Sequence, residues 1–131
     1  MKLIEGTPIA EAVYAECLES FAALKADGHL PGLAVVLVGD DPASRAYVGA
    51  KDKKCKELGL FSLKIEKPAT ITQAELLEVV DGLNADDRIH GILVQMPLPK
   101  HLDTDEVIRR IDPSKDVDGL HPVNLGKLAM D

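Results

Sequence analysis

At 131 residues the chain is the size of one domain able to bury a core of its own. Hydrophobic residues make up 46% and aromatics only 3%, which argues against disorder and for an aliphatic core of Leu, Ile, Val and Ala. A formal net charge of -7 argues against nucleic acid or an anionic membrane as partner, because phosphate binding needs a basic surface.

No apolar run approaches the length of a membrane span, and the N-terminus lacks a signal peptide's charged-then-apolar pattern. Thr7 can cap a first helix with Pro8 at its first position. Ile9, Val13, Cys17, Leu18, Phe21 and Leu24 then recur at helical spacing until Asp27-Gly28 stops it. Leu33 to Val38 is a continuous apolar run, the pattern of a central strand. Gly39-Asp40-Asp41-Pro42 turns the chain, with Asp41 capping a helix that Pro42 leads and that ends at Leu58-Gly59. Phe61, Leu63 and Ile65 alternate with Ser62, Lys64 and Glu66, which suits a strand buried on one face.

Thr72-Gln73-Ala74-Glu75 is a capping box, and Ile71 can staple to Leu76. Gly91-Ile92-Leu93-Val94 opens a buried strand whose ladder must stop at Pro97 and Pro99, which delivers Gln95 to its carboxyl end. The capping device recurs at Asp103-Thr104-Asp105-Glu106, with Leu102 and Val107 as the staple and Pro113 closing the helix. Three strands alternating with four helices predict an α/β fold with a parallel sheet and right-handed crossovers. From His121 to Asp131 no stop signal appears, and the chain reads as cut from something longer. Cys17 and Cys55 lie in helical patterns without metal-ligand spacing, and read as reduced core residues of a cytoplasmic protein.

On the helix from Pro42 to Leu58, a turn of about 100° per residue puts Tyr47, Val48, Cys55 and Leu58 on one side. Arg45, Lys53 and Lys56 fall on the other. Lys51 lies among the apolar set, one turn after Tyr47, so it must snorkel out or sit in a pocket, where desolvation suits a lysine to act as a base. Lys54 borders the same face and competes for the role. Spacing alone favours the plainer reading, an amphipathic helix whose lysine stems cover its edge. Gln95 could serve a ligand or cap backbone groups, and Asp116 and Asp118, seen alone, read as shaping a turn. His29, His90, His101 and His121 are scattered, so no metal site is expected. The acidic cluster Asp103, Asp105 and Glu106 is explained by a helix dipole. Neither a Gly-x-Ser-x-Gly elbow nor a Gly-x-Gly phosphate loop is present.

Taken in order, several segments resemble the bifunctional methylenetetrahydrofolate dehydrogenase/cyclohydrolase family, specifically its N-terminal catalytic domain. They are Val38-Gly39-Asp40-Asp41-Pro42-Ala43-Ser44, Tyr47-Val48, Lys51, and Gly91 through His101. Lys115-Asp116-Val117-Asp118-Gly119, His121-Pro122-Val123-Asn124 and Gly126-Lys127-Leu128 complete the set, which spans essentially the whole chain and outweighs the plainer readings. The resemblance implies a three-layer α/β/α domain over residues 1–131 with a small, mostly parallel sheet. It implies oxidation of 5,10-methylenetetrahydrofolate to the methenyl form and hydrolysis to 10-formyltetrahydrofolate, within one-carbon metabolism and purine biosynthesis. Lys51 would be the catalytic lysine and Gln95 its support. Tyr47 would stack on the aminobenzoyl ring, Asp118 would bind the pterin, Pro97 and Leu98 would line the pocket, and Ser44 would join the substrate site.

The same resemblance implies NADP bound by a Rossmann-type domain that these residues do not include, with no cofactor expected on this chain. A fragment lacking dehydrogenase activity is therefore expected, from a parent that is a homodimer. Two other readings stand beside it: a non-catalytic folate-binding or interaction module, and the substrate domain of another two-domain dehydrogenase acting on amino or shikimate-like acids. The Asp116-Val117-Asp118-Gly119 segment and the Tyr47, Lys51 and Gln95 set argue against the last.

Overall fold

A computed structural model describes residues 5–130; the signal-peptide reading of the first four residues, and Asp131, lie outside it. Three strands, β1 (Gly32–Val38), β2 (Phe61–Lys67) and β3 (Gly91–Val94), form one sheet in the order β2-β1-β3. Both pairings are parallel, with Ala34 opposite Leu63 on one side and Ile92 on the other. Helices α1 (Gly6–Ala26), α2 (Pro42–Glu57), α3 (Gln73–Ala85), α4 (Thr104–Arg110) and α5 (Pro122–Met130) complete the described chain. The path runs from β1 to β2 through α2, then back across β1 to β3 through α3. With right-handed crossovers this reversal sends α2 and α3 to opposite faces, giving the expected three layers.

Strand parity explains the two cores. Ala34, Val36, Val38, Ile92 and Val94 face α3 and α4, where they meet Ile71, Leu76, Val80, Leu83 and Val107. Val35, Leu37 and Leu93 face the other way and meet Val48 of α2. The alternation read in β2 holds: Phe61, Leu63 and Ile65 pack on the first core. Its opposite side is polar, and Ser62 Oγ there donates to Asp52 of α2 at 2.7 Å.

The cap at Asp41 forms as expected, accepting from the Ser44 N–H at 2.7 Å, with Pro42 at the head of α2. The Thr72–Glu75 capping box is complete. At α4 only half of it forms, because Asp103 accepts from the Glu106 N–H while its own N–H donates to Gln73 Oε1 of α3. Glu106 is drawn aside to accept from Gln73 Nε2 at 2.9 Å, so one glutamine ties the two helix starts together.

Three expectations are corrected. Helix α1 begins at Gly6 behind an uncapped Glu5, so Thr7 and Pro8 lie inside its first turn, where the missing proline N–H has no partner to lose. None of its residues is buried, Cys17 being half-buried, because no element in the described chain covers its apolar stripe. Cys55 is buried as expected, and burial first, then the charge of Asp52, pushes its thiol up. The four helices read from the sequence are joined by a fifth: α5 forms after His121, and the Val123 N–H donates to His121 Nδ1 at 3.1 Å. An imidazole in that place is not among the usual cap signals. Among the described residues no helix is long and apolar enough to cross a membrane.

Candidate active site

The chain leaves β1 toward one face and leaves β3 after crossing to its far side, so the carboxyl ends of these two strands form a switch point. Open α/β sheets bind ligands at such points. The loop after β1 leads into α2, and the residue after β3 is Gln95. Its N–H donates to Val36 O at 2.8 Å, which pins it beside β1. Its Nε2 donates to Met96 O at 2.8 Å, which turns Oε1 the other way. That oxygen accepts from Lys51 Nζ at 3.1 Å, across 44 residues of sequence. The structure thus brings the two proposed chemical groups into one bond.

Lys54 is engaged elsewhere. Its ammonium pairs with Glu57 at 2.8 Å and lies 4.6 Å above the Tyr14 ring. The hydrogen bond to Glu57 raises its pKa. Of the two competing lysines, only Lys51 reaches the amide.

Tyr47 is 64% exposed, while the stripe buried on α2 is Ser44, Val48 and Cys55. The stripe passes one residue away from Tyr47, leaving the ring at the mouth of a groove of about 350 Å³. Tyr14, Leu33, Ala50, Lys51, Lys54 and Cys55 line the rest of it. Tyr14 carried no signal in the sequence, since only the approach of α1 to α2 brings it there. A larger hollow of about 470 Å³ beside Lys67, Thr70, Glu75 and Glu78 holds none of the expected site residues.

The two aspartates after β3 are separated by their bonds. Asp116 accepts from the Gly119 N–H, the His121 N–H and Asn124 Nδ2, and it bridges to Ile92 at the sheet edge. Burial pushes its carboxyl up, but the bonds from Asn124 and the His121, Leu120 and Gly119 N–H groups outweigh this and hold it below the usual range. Asp116 shapes the turn. Asp118 takes no hydrogen bond among the described residues; desolvation raises its carboxyl above its ordinary 3.8, the charge of Asp116 adds to this, and the Lys51 ammonium opposes it. Its side chain is exposed, and its acceptors are unused among the described residues.

The remaining candidates are spread out. Ser44 is 4% exposed, with its N–H on Asp41, whose carboxyl that bond and the Ser44 hydroxyl hold low. Pro97, after a cis Met96–Pro97 peptide, is exposed. Leu98 is half-buried against the core on the α3 side. Among the described residues no group of three His, Cys, Asp or Glu could hold a metal.

At the helix starts that follow β1, β2 and β3 the carboxylates of Asp41, Glu75 and Asp103 each accept a backbone N–H. A pyrophosphate would need those donors and would meet those charges.

The sequence pattern described as "Tetrahydrofolate dehydrogenase/cyclohydrolase, catalytic domain" matches residues 4–118. The chain is 52% identical over 126 residues to the bifunctional protein FolD of Bacillus cereus, covering 96% of this chain and 44% of that protein. The crystal structure of the FolD dehydrogenase/cyclohydrolase from Campylobacter jejuni matches with a TM-score of 0.96 at 46% identity, over 99% of this chain and 46% of that one. The Trypanosoma brucei enzyme, solved with NADP cofactor and inhibitor, matches with a TM-score of 0.92 at 37% identity, over 97% of this chain and 43% of that one. The chain therefore spans less than half the length of the relatives it matches.

Proposed function

The chain belongs to the tetrahydrofolate dehydrogenase/cyclohydrolase catalytic-domain family, and from that premise we propose that it is the folate-binding, proton-transferring half of a cytoplasmic bifunctional enzyme. The whole enzyme oxidises 5,10-methylenetetrahydrofolate and hydrolyses the methenyl product to 10-formyltetrahydrofolate. The observation that carries this reading is the Lys51 Nζ–Gln95 Oε1 bond at 3.1 Å.

In this reading the Tyr47 ring offers its face to the aminobenzoyl group, and Asp118 gives the pterin's N–H edge a charge-assisted acceptor. Water adds to the methenyl carbon and gives up one proton to solvent; Lys51, held in place by Gln95, then carries the remaining hydroxyl proton to N5 as the bond between that carbon and N5 breaks, leaving the formyl group on N10. Pro97 and Leu98 flank the pterin, and Ser44 serves from behind by fixing the start of α2. The nicotinamide cofactor, NADP, is held by the part of the relatives that this chain does not span. The chain's own share in the oxidation is to position the folate.

A second reading has one observation in its favour. The groove is open, with Tyr47 64% exposed, so the chain by itself could bind folate without turning it over. Titration calorimetry with tetrahydrofolate, followed by absorbance of 5,10-methenyltetrahydrofolate, separates the two. Folate binding with slow hydrolysis is the expected result, and binding with none supports the module. No folate binding overturns both, and saturable NADP binding at millimolar cofactor overturns the assignment of the cofactor to another domain.

A further inference from the structure

We infer that Lys115 is a positioning residue for Asp118: its ammonium locks the turn that carries Asp118 onto the end of α3. The inference rests on the folate reading above for the role of Asp118, and on geometry for the rest.

Helix α3 has no basic residue in its last turn, so its terminal carbonyls lack a positive charge from their own helix. Lys115 supplies one from across the fold. Its Nζ donates to Asn84 O at 2.7 Å, Asp86 O at 3.1 Å and Leu83 O at 3.3 Å. All three ammonium hydrogens are thereby used, which fixes the side chain in one place.

The backbone of the same residue is fixed to the sheet. Its carbonyl accepts from the Ile92 N–H of β3 at 2.7 Å, and Asp116 continues the pairing with Ile92. Two residues on, Val117 lies so close to Gly91 that a β-carbon there would come within 2.5 Å of Val117 Cγ1. Lys115 thus joins α3 to β3 at the point where the turn departs, three residues before Asp118. The far side of the turn is held by the three bonds to Asp116. Asp118, which takes no hydrogen bond among the described residues, owes its place to these two anchors.

The test uses this chain, tetrahydrofolate as the probe, and the variants Lys115→Met, Lys115→Arg and Asp118→Asn. Lys115→Met should weaken tetrahydrofolate binding about tenfold, with Lys115→Arg recovering part of the loss. The loss should vanish in the Asp118→Asn background, because the lysine acts through the aspartate. By carbon NMR, the raised Asp118 carboxyl titration should fall in Lys115→Met as the turn loosens. A lower melting temperature with unchanged affinity and unchanged Asp118 titration would make Lys115 a helix cap and nothing more. An equal loss in the Asp118→Asn background would also overturn the inference. If the unaltered chain binds no tetrahydrofolate, the folate reading fails, while the NMR titration still decides the role of Lys115. Should Lys115→Met not fold, Lys115→Gln, which keeps a donor for one carbonyl, takes its place in each measurement.

Discussion

On the α3 and α4 side of the sheet, thirteen buried residues from Ala34 to Ile111 close into one cluster. On the α2 side the corresponding cluster is Val35, Leu37, Val48 and Leu93. Strand β2 makes the difference, because it offers Leu63 and Ile65 to the first side and Ser62, Lys64 and Glu66 to the second. Helix α2 is therefore held to β2 by polar contacts, Ser62 to Asp52 at 2.7 Å and Arg45 to Glu66 at 3.6 Å. Exposed ion pairs of the second kind contribute little. Helix α1 adds no buried residue to that side. A sealed face supplies stability, and a thinly covered one leaves room for a ligand. The groove at Lys51 opens on the thin side, while the anchor for the Asp118 turn comes from the sealed one.

If that division is right, changes on the two sides should separate function from stability. The largest effect belongs to Lys51→Met. Hydrolysis of 5,10-methenyltetrahydrofolate should fall by about two to four orders of magnitude, with the melting temperature nearly unchanged. Near-normal turnover in Lys51→Met, with Lys54→Met inactive, would move the proton carrier onto the lysine that here pairs with Glu57. The opposite result is expected of Leu76→Ala. Leu76 is fully buried in the larger cluster, and its truncation should cost about 2–5 kcal/mol in chemical denaturation. Folate affinity of the folded fraction should stay as it was.

Asp118→Asn comes next, and it adds a pH signature. The substitution keeps the size but loses the charge, and should weaken folate binding by about 1.5–3 kcal/mol. The Asp118 carboxyl is raised above 3.8, first by desolvation, so it takes up its proton at a higher pH than an ordinary aspartate. Folate affinity of the unaltered chain should therefore decline as pH falls through that raised value, and the decline should be absent in Asp118→Asn. The stability contribution has the reverse sign. A carboxyl raised in the folded state weakens the fold above its folded pKa and ceases to do so as pH falls through it. Asp86 shows the ordinary sign: the Arg88 bond holds it at about 2, and its contribution is lost only as pH falls from 3.8 toward that value. Calorimetry of the two forms across this acid range checks the contrast.

Local chemistry made most of the fold legible in the sequence. Asp41-Pro42, Thr72 to Glu75, the Leu33 to Val38 run and the alternation in β2 each state their own conformation, and each formed as read. What was not legible depends on contacts between distant segments. Helical spacing puts Tyr47 on one side with Val48, and the wheel does not reveal that Val48 is buried while Tyr47 is exposed. Gln95 and Lys51 are 44 residues apart, and only the β1–β3 switch point makes them neighbours. Asp116 and Asp118 look alike in sequence, and the hydrogen bonds from Gly119, His121 and Asn124 alone tell the turn-former from the open acceptor. Helix α5 went unread because its first turn is bonded to an imidazole.

The smallest predicted effect bears on how far a local signal can be carried. Thr7 and Thr72 both read as helix caps, yet the fold uses them differently. Thr72 Oγ1 accepts from the Glu75 N–H at 3.3 Å, and the Glu75 carboxylate returns to the Thr72 N–H at 2.8 Å. Thr72→Ala removes the side-chain half of that exchange at the head of a helix whose Leu76 and Val80 are sealed in the core, and should cost about 1 kcal/mol. Thr7 sits exposed inside the first turn of α1, a helix with no buried residue, and Thr7→Ala should change stability by less than about 0.5 kcal/mol. Urea denaturation with unchanged slope would measure both. Equal losses would mean that α1 is bound into the cooperative unit as firmly as α3. The thin side of the sheet would then be better sealed than its buried residues indicate, and the separation of ligand face from stability core would have to be abandoned.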